Sequence, residues 1–297
     1  MNKNINGKKI SEILYKELNN YLNTKDKIPS IVSIRIGNNY APQLYSTMIK
    51  KTLTKETNIK YKEIYFENIP LKELKEYIEK LNKDEEVTGI ILIKPLPDNL
   101  KEYEQDIVDT IDKDKDIEGV TRINTGLLNT TGNTIIPTTA LGIETLIKVY
   151  DISLEGNKVA IINRSNIIGK PLSILMLRNN ATPIICHSKT RNLQEITSNC
   201  DIVIAALNEP EYITSSYIKE GAIVMDVGVH KTKENKIVGD VNYNDVINKV
   251  SLITPPTNSI GPMTICMIAY NSVKAIYGIE VDKLLETAID KAKTTMY

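Results

Sequence analysis

The run Val159-Ala160-Ile161-Ile162-Asn163-Arg164-Ser165-Asn166-Ile167-Ile168-Gly169-Lys170-Pro171 decides the fold class. Its apolar start reads as a strand buried on both faces, and the polar turn before Gly169 leads into a helix. A strand, a tight turn and a helix in this order aim backbone N–H groups at the turn, the geometry that holds a pyrophosphate. Only Gly169 remains of the three glycines in the usual dinucleotide fingerprint. Asn163 takes the first position, where Asn tolerates left-handed backbone better than most residues. By itself the run fits a cofactor site or an ordinary strand–helix turn.

The same alternation extends outward. In the first half, strands are expected at Ile31 to Ile36, Lys60 to Phe66 and Gly89 to Ile93, with helices over Lys8 to Leu22, Pro42 to Thr57 and Leu71 to Asn82. Asp112 to Thr138 reads as loop and Ala140 to Tyr150 as a connecting helix. The second half has strands at Lys158 to Ile162, Ile184 to Cys186, Ile202 to Ala205 and Ile223 to Val227, with a helix over Gly169 to Asn179. Helices then run to about Tyr277 and over Val281 to Lys293. Short β-branched runs between amphipathic stretches predict an α/β chain with parallel sheets covered by helices. The expected domains are 1–138, joined by a C-terminal helix 278–297, and 139–277.

Composition narrows the function class. A chain of 297 residues suggests about two domains. With 37 basic and 37 acidic residues there is no net field to recruit nucleic acid or an anionic membrane. No window approaches the roughly 18 consecutive apolar residues of a membrane span, and the N-terminus runs directly into a polar helix, so a soluble cytoplasmic protein is expected. Cys186, Cys200 and Cys266 lack any paired spacing and read as buried small residues. His187 and His230 lie far apart with no metal-ligand spacing, so no metal is expected. The tyrosines at 61, 65 and 77 read as half-buried surface of strands and helices.

NAD sites usually place Asp or Glu about 20 residues beyond the turn to hold the ribose 2′-OH. Cys186-His187-Ser188-Lys189-Thr190-Arg191 contains no acid. Arg164, Ser165, Ser188 and either Lys189 or Arg191 suit a 2′-phosphate, so NADP is expected rather than NAD. Lys189 and Arg191 read equally well as solvated cations.

Five blocks carry a family resemblance: Asn163 to Pro171, Cys186-His187-Ser188, Asp226-Val227-Gly228-Val229, Val238-Gly239-Asp240-Val241, and Ile253-Thr254-Pro255 with Gly261-Pro262-Met263-Thr264. Together, collinear from about Ile5 to Tyr277, they resemble methylenetetrahydrofolate dehydrogenase/methenyltetrahydrofolate cyclohydrolase. The resemblance implies two α/β domains with a cleft between them, the second Rossmann-like. It also implies NADP on the second domain, a tetrahydrofolate derivative on the first, and a homodimer. By the family pattern Asn163, Arg164, Ser165, Ser188 and Val229 line the cofactor, while Tyr45, Glu118 and Pro262 meet the folate.

Two family positions depart. The family carries a Tyr and, four residues later on the same helix face, a Lys. Tyr45 matches the first, but the second is Ile49, with Lys50 about 100° further round the helix. The family's strand Gly-Ile-Leu-Val-Gln-Leu-Pro-Leu-Pro aligns with Gly89 to Pro97 and replaces its Gln, which contacts that Lys, by Ile93. Lys94 is adjacent, but successive strand residues face opposite sides. A Gln facing Ile49 would lose its polar partner, whereas two isoleucines can pack together, so the changes read as one coupled loss. The competing register keeps Lys50 and Lys94 as a displaced pair. Glu118 stands where the family usually has Asp, and Thr257-Asn258-Ser259 where it usually has Pro-Gly-Gly, which puts a glycine-dependent loop in question.

Hydride loss from 5,10-methylenetetrahydrofolate leaves a delocalised cation and needs positioning rather than a side-chain base, with Tyr45 as the site's catalytic residue and Glu118 as the pterin anchor. Ring opening needs activated water and a proton donor, which isoleucine cannot supply. The sequence therefore predicts an NADP-linked dehydrogenase with cyclohydrolase activity lost or very weak. Two alternatives stand beside it: a bifunctional enzyme using Lys50 or Lys94, and a non-catalytic ligand-binding homologue.

Overall fold

The computed structural model describes residues 3–296, so Met1, Asn2 and Tyr297 of the stretches read above lie outside it. Two compact units form. The first comprises Glu12–Thr138 and Ile265–Ala288, and the second takes the chain up to Ser11, Thr139–Thr264 and the chain from Ile289.

The first unit is built on three parallel strands, β1 (Ser30–Ile36), β2 (Lys60–Phe66) and β3 (Gly89–Leu92), in the order β2-β1-β3. Strand alternation divides this sheet into two unlike faces. Val32, Ile34 and Ile36 of β1, with Ile90 and Leu92 of β3, join Leu74 and Ile78 of helix Leu71–Lys83 in one apolar core. Ser33 and Arg35 occupy the alternate positions and are also buried, in register with Glu63 and Tyr65 of β2. Helix Tyr40–Glu56 lies against this polar stripe through Ser46.

The second unit holds five parallel strands. They are β4 (Lys158–Ile162), β5 (Thr182–Cys186), β6 (Ile202–Ala205), β7 (Ile223–Asp226) and, after a two-stranded antiparallel β8 (His230–Lys231) and β9 (Ile237–Val238), β10 (Leu252–Ile253). Their order, β10-β7-β6-β4-β5, places β4 between neighbours that follow it in sequence, with the turn after it at the carboxyl end of a central strand. Cys186, Cys200 and Cys266 are buried free thiols.

Three expectations need correction. Both ends of the chain depart from the expected domain division. Ile5 N donates to Ile253 O (2.9 Å) and Ile253 N to Lys3 O (2.9 Å), so the start of the chain pairs with the edge of the second sheet. The Asn271 amide donates to Ile117 O and Ile136 O, both at 2.9 Å, tying this part of helix Ile260–Tyr277 to the first unit. At the far end, Lys293 pairs with Asp151 (2.5 Å) of the second unit. Within the expected loop 112–138 lies helix Arg122–Thr130, capped by the Thr121 hydroxyl accepting from Asn124 N. The Asn124 side chain donates to Asp116 (2.9 Å), a tertiary bond that local polarity does not reveal. Finally, β3 stops at Leu92, so strict alternation does not govern Ile93 and Lys94.

Candidate functional site

At the end of β4, Asn163 organises the turn with its side chain. Oδ1 accepts from Ser165 N (2.8 Å) and Gly169 N (3.1 Å), while Nδ2 donates to Ala206 O (2.7 Å) after β6. Asn163 is not among the residues with positive φ, so the expected reason for Asn is replaced by this three-way bonding. Gly169 is needed for close approach: a Cβ there would lie 2.0 Å from Asn163 O. A cavity of about 750 Å³ opens beside the turn, lined by Asn163, Arg164, Ser165, His187 and Ser188, and by Ala206, Leu207, Glu209 and Tyr212. Arg164 is exposed and has no ion-pair partner among the described residues, and the Ser165 hydroxyl, whose oxygen accepts from Ile168 N (3.1 Å), keeps its proton to donate, so this cation with Ser165 and Ser188 can meet phosphate oxygens.

The loops around this cavity are pinned from behind. Asp240, fully buried, accepts from Leu207 N (2.7 Å) and Glu209 N (2.9 Å) and lies 2.7 Å from His230 Nε2. Asp226 in turn accepts from Asp240 N (3.0 Å) and Val241 N (2.9 Å); burial pushes its carboxyl up to about 6 despite those bonds. Two of the motifs read in the sequence are thus a carboxylate staple beneath the cavity wall. His187 Nδ1 accepts from Lys189 N (3.1 Å) and shapes the turn that offers Ser188. Lys189, Arg191 and Val229 do not line the cavity, and Val229 is 63 % exposed. Asn258 takes φ 60°, the left-handed region, so the Thr257-Asn258-Ser259 loop makes without glycine a turn that glycine favours. Pro262 is half-buried near the start of helix Ile260–Tyr277.

In the first unit, Tyr45 projects from helix Tyr40–Glu56 into the electrostatic reach of Glu118. Burial, then the Glu118 charge, raises the Tyr45 hydroxyl well above an ordinary phenol. Glu118 sits in a loop tied to the sheet, since Ile90 N donates to Lys115 O (2.8 Å) and Ile90 pairs with Asp116. Burial is the main influence on Glu118; opposed by the Lys94 ammonium and helped by Asp116 and Glu104, it pushes the carboxyl up to about 7.

Ile49 and Ile93 are 0 % and 1 % exposed, apolar and closed to water. Lys50 is exposed and acts on Glu63. Lys94, beyond the strand's end, pairs with Glu104 at 3.2 Å and acts on Glu118, closer to the site than strand alternation implied. The sequence reading missed the polar stripe of Ser33, Arg35, Tyr61 and Glu63 that meets Ser46. Its signal was present as polar residues alternating through two strands of otherwise apolar character.

Residues 5–118 match the tetrahydrofolate dehydrogenase/cyclohydrolase catalytic domain, and residues 137–279 match the NAD(P)-binding domain of the same family. The bifunctional protein FolD of Oceanobacillus iheyensis is 40 % identical over 279 residues, 93 % of this chain and 97 % of that protein. The crystal structure of the bifunctional FolD methylenetetrahydrofolate dehydrogenase/cyclohydrolase from Campylobacter jejuni is 38 % identical with a TM-score of 0.87, covering 92 % of this chain and 98 % of the other. A 5,10-methylenetetrahydrofolate dehydrogenase from the silkworm Bombyx mori is 30 % identical with a TM-score of 0.84, covering 93 % and 98 %.

Proposed function

Because the chain belongs to the tetrahydrofolate dehydrogenase/cyclohydrolase family, we propose that it oxidises 5,10-methylenetetrahydrofolate to the methenyl cation with NADP and opens that cation slowly or not at all. The burial of isoleucine at both positions where the family's proton-handling pair belongs carries this reading. Neither side chain can take or give a proton, so nothing there activates water or protonates the leaving nitrogen.

NADP, when bound, accepts the hydride. Arg164, Ser165 and Ser188 would hold its 2′-phosphate, and the turn that Asn163 organises would lie beside its pyrophosphate. Glu118, as a carboxylate, accepts from the pterin N–H groups, and Tyr45 packs beside the reacting carbon. Through the family resemblance the reading extends to a cytoplasmic homodimer, which light scattering tests for subunit number.

A second reading is favoured by one observation. Lys94 lies close enough to act on Glu118 and pairs with Glu104, so a displaced ammonium could open the cation and make the protein bifunctional like its named relatives. One experiment separates the two. NADPH and methenyl product are recorded together during turnover of 5,10-methylenetetrahydrofolate. Methenyl product accumulating with NADPH and decaying only as fast as in buffer is the expected result. Enzyme-dependent decay that Lys94→Met abolishes would establish the second reading, and no cofactor reduction with NADP or NAD would overturn both.

A further inference from the structure

We propose that Ser46 and Glu63 are positioning residues for Tyr45, a polar clamp that fixes helix Tyr40–Glu56 on the sheet now that positions 49 and 93 contribute only apolar contacts. The inference rests on Tyr45 belonging to the folate site, as argued above.

The clamp centres on Ser46, which donates to the Glu63 carboxylate. The Tyr61 hydroxyl donates to Ser33 Oγ (2.7 Å), and its oxygen lies 3.0 Å from Ser46 Oγ as a packing contact, since both hydroxyl protons are already engaged. Glu63 Oε1 also accepts from Arg35 Nη2 (3.1 Å), and Arg35 Nη1 donates to Gly37 O (3.1 Å). The guanidinium stacks 4.2 Å from the centre of the Tyr65 ring. Burial would raise Glu63, but the bonds from Ser46 and Arg35 outweigh it and hold the carboxyl below the usual glutamate value, so the clamp is charged at neutral pH.

Two arguments give this cluster a role beyond cohesion. Ile49 and Ile93 are buried and offer only apolar contact, which is less directional than hydrogen bonding. Hydrogen bonds depend steeply on distance and angle, and those to an ionised acceptor are the stronger ones. Ser46 follows Tyr45 directly on the same helix, so a rotation that breaks its bond to Glu63 also turns Tyr45 and changes its position relative to Glu118. The cluster is also costly: Arg35 Nε is buried without a partner. A plain apolar interface would avoid that cost.

The test compares Ser46→Val and Glu63→Gln with Ser46→Thr, which restores the hydroxyl. Two readouts are taken: dehydrogenase kinetics, and the fluorine resonance of Tyr45 in protein labelled with 3-fluorotyrosine, assigned by its absence in Tyr45→Phe. Expected are a KM for the folate about tenfold higher in both clamp-breaking variants, the scale of one lost hydrogen bond to a charged group, with an unchanged KM for the cofactor. The Tyr45 resonance should shift or broaden in both and return in Ser46→Thr. Folded Ser46→Val and Glu63→Gln proteins with the parent folate KM and the parent resonance would overturn the clamp. If Ser46→Val does not fold, the isosteric Glu63→Gln decides. If the parent turns over no folate, the proposed function falls, and the fluorine resonance alone decides the clamp.

Discussion

At the cofactor turn a single side chain, Asn163, makes three hydrogen bonds to backbone groups, and Gly169 leaves room for the carbonyl beside it. Around Tyr45 the working groups are side chains from a helix, a loop and the chain just past a strand, acting on one another through charge and burial. A turn fixed by one side chain bonded to the backbone depends on Asn163 and Gly169 and tolerates change at most of its other positions. A side-chain-built site changes chemistry when one or two positions change. The proposed function needs this difference: the chain would keep its cofactor turn while buried isoleucines at 49 and 93 remove the proton-transfer groups.

The largest effect expected from breaking this contrast is a gain. Ile49→Lys with Ile93→Gln should raise enzyme-dependent decay of methenyltetrahydrofolate by about 100-fold or more, the usual scale of a positioned acid–base group. Loss of methenyl absorbance at constant pH measures it. No gain from a folded double variant would mean that positions 49 and 93 are not where the chemistry was lost. On the backbone-built side, Gly169→Ala forces its Cβ against Asn163 O. Overpacking of this kind costs about 1–3 kcal/mol, so the KM for NADP should rise about 10- to 100-fold while folate binding holds. A cofactor titration checks it.

Glu118 supplies a pH test of intermediate size. Its carboxyl is pushed up to about 7, mainly by burial, and on the proposed function the ionised form accepts from two pterin N–H groups where the protonated form accepts well from only one. The KM for the folate should therefore fall about tenfold from pH 6 upward and level off above pH 8, following the ionised fraction. Glu118→Gln should flatten that profile. For stability the sign is opposite: the folded state holds this proton more tightly than the unfolded chain, so stability declines as pH rises from 4.5 to about 7. On the proposed function, folate binding and folding would favour opposite protonation states of this carboxyl.

Much of this was legible in the sequence, and the boundary falls where backbone logic ends. The strands Lys158–Ile162 and Ile202–Ala205 were read to the residue, because runs buried on both faces have no competing period. The isoleucines at 49 and 93 were also visible, since each is a single position in a known spacing. Three features were not: the helix at Arg122–Thr130, the membership of the chain ends, and the stripe linking Ser33, Arg35, Tyr61, Glu63 and Ser46. The helix depends on bonds just outside it, to Thr121 and Asp116, and the other two on bonds between segments distant in sequence. Lys94 lies past the end of the strand, where the alternation rule no longer says which way it faces.

The smallest expected effect tests whether the second unit keeps its backbone where its sequence departs most. Asn258 sits at φ 60° in the loop before helix Ile260–Tyr277, and its carbonyl accepts from Lys8 N at 2.9 Å. Glycine at this position relieves left-handed strain but loosens the unfolded chain, two effects of about 0.5–1 kcal/mol that oppose each other. Asn258→Gly should therefore leave the urea midpoint nearly unchanged. Asn258→Ala keeps the Cβ without the polar group that lets Asn tolerate this region, and should destabilise the protein by about 1 kcal/mol. An Ala variant as stable as the parent would show that the loop can leave the left-handed conformation, and the contrast between a backbone-governed loop and a side-chain-governed site would lose its sharpest case.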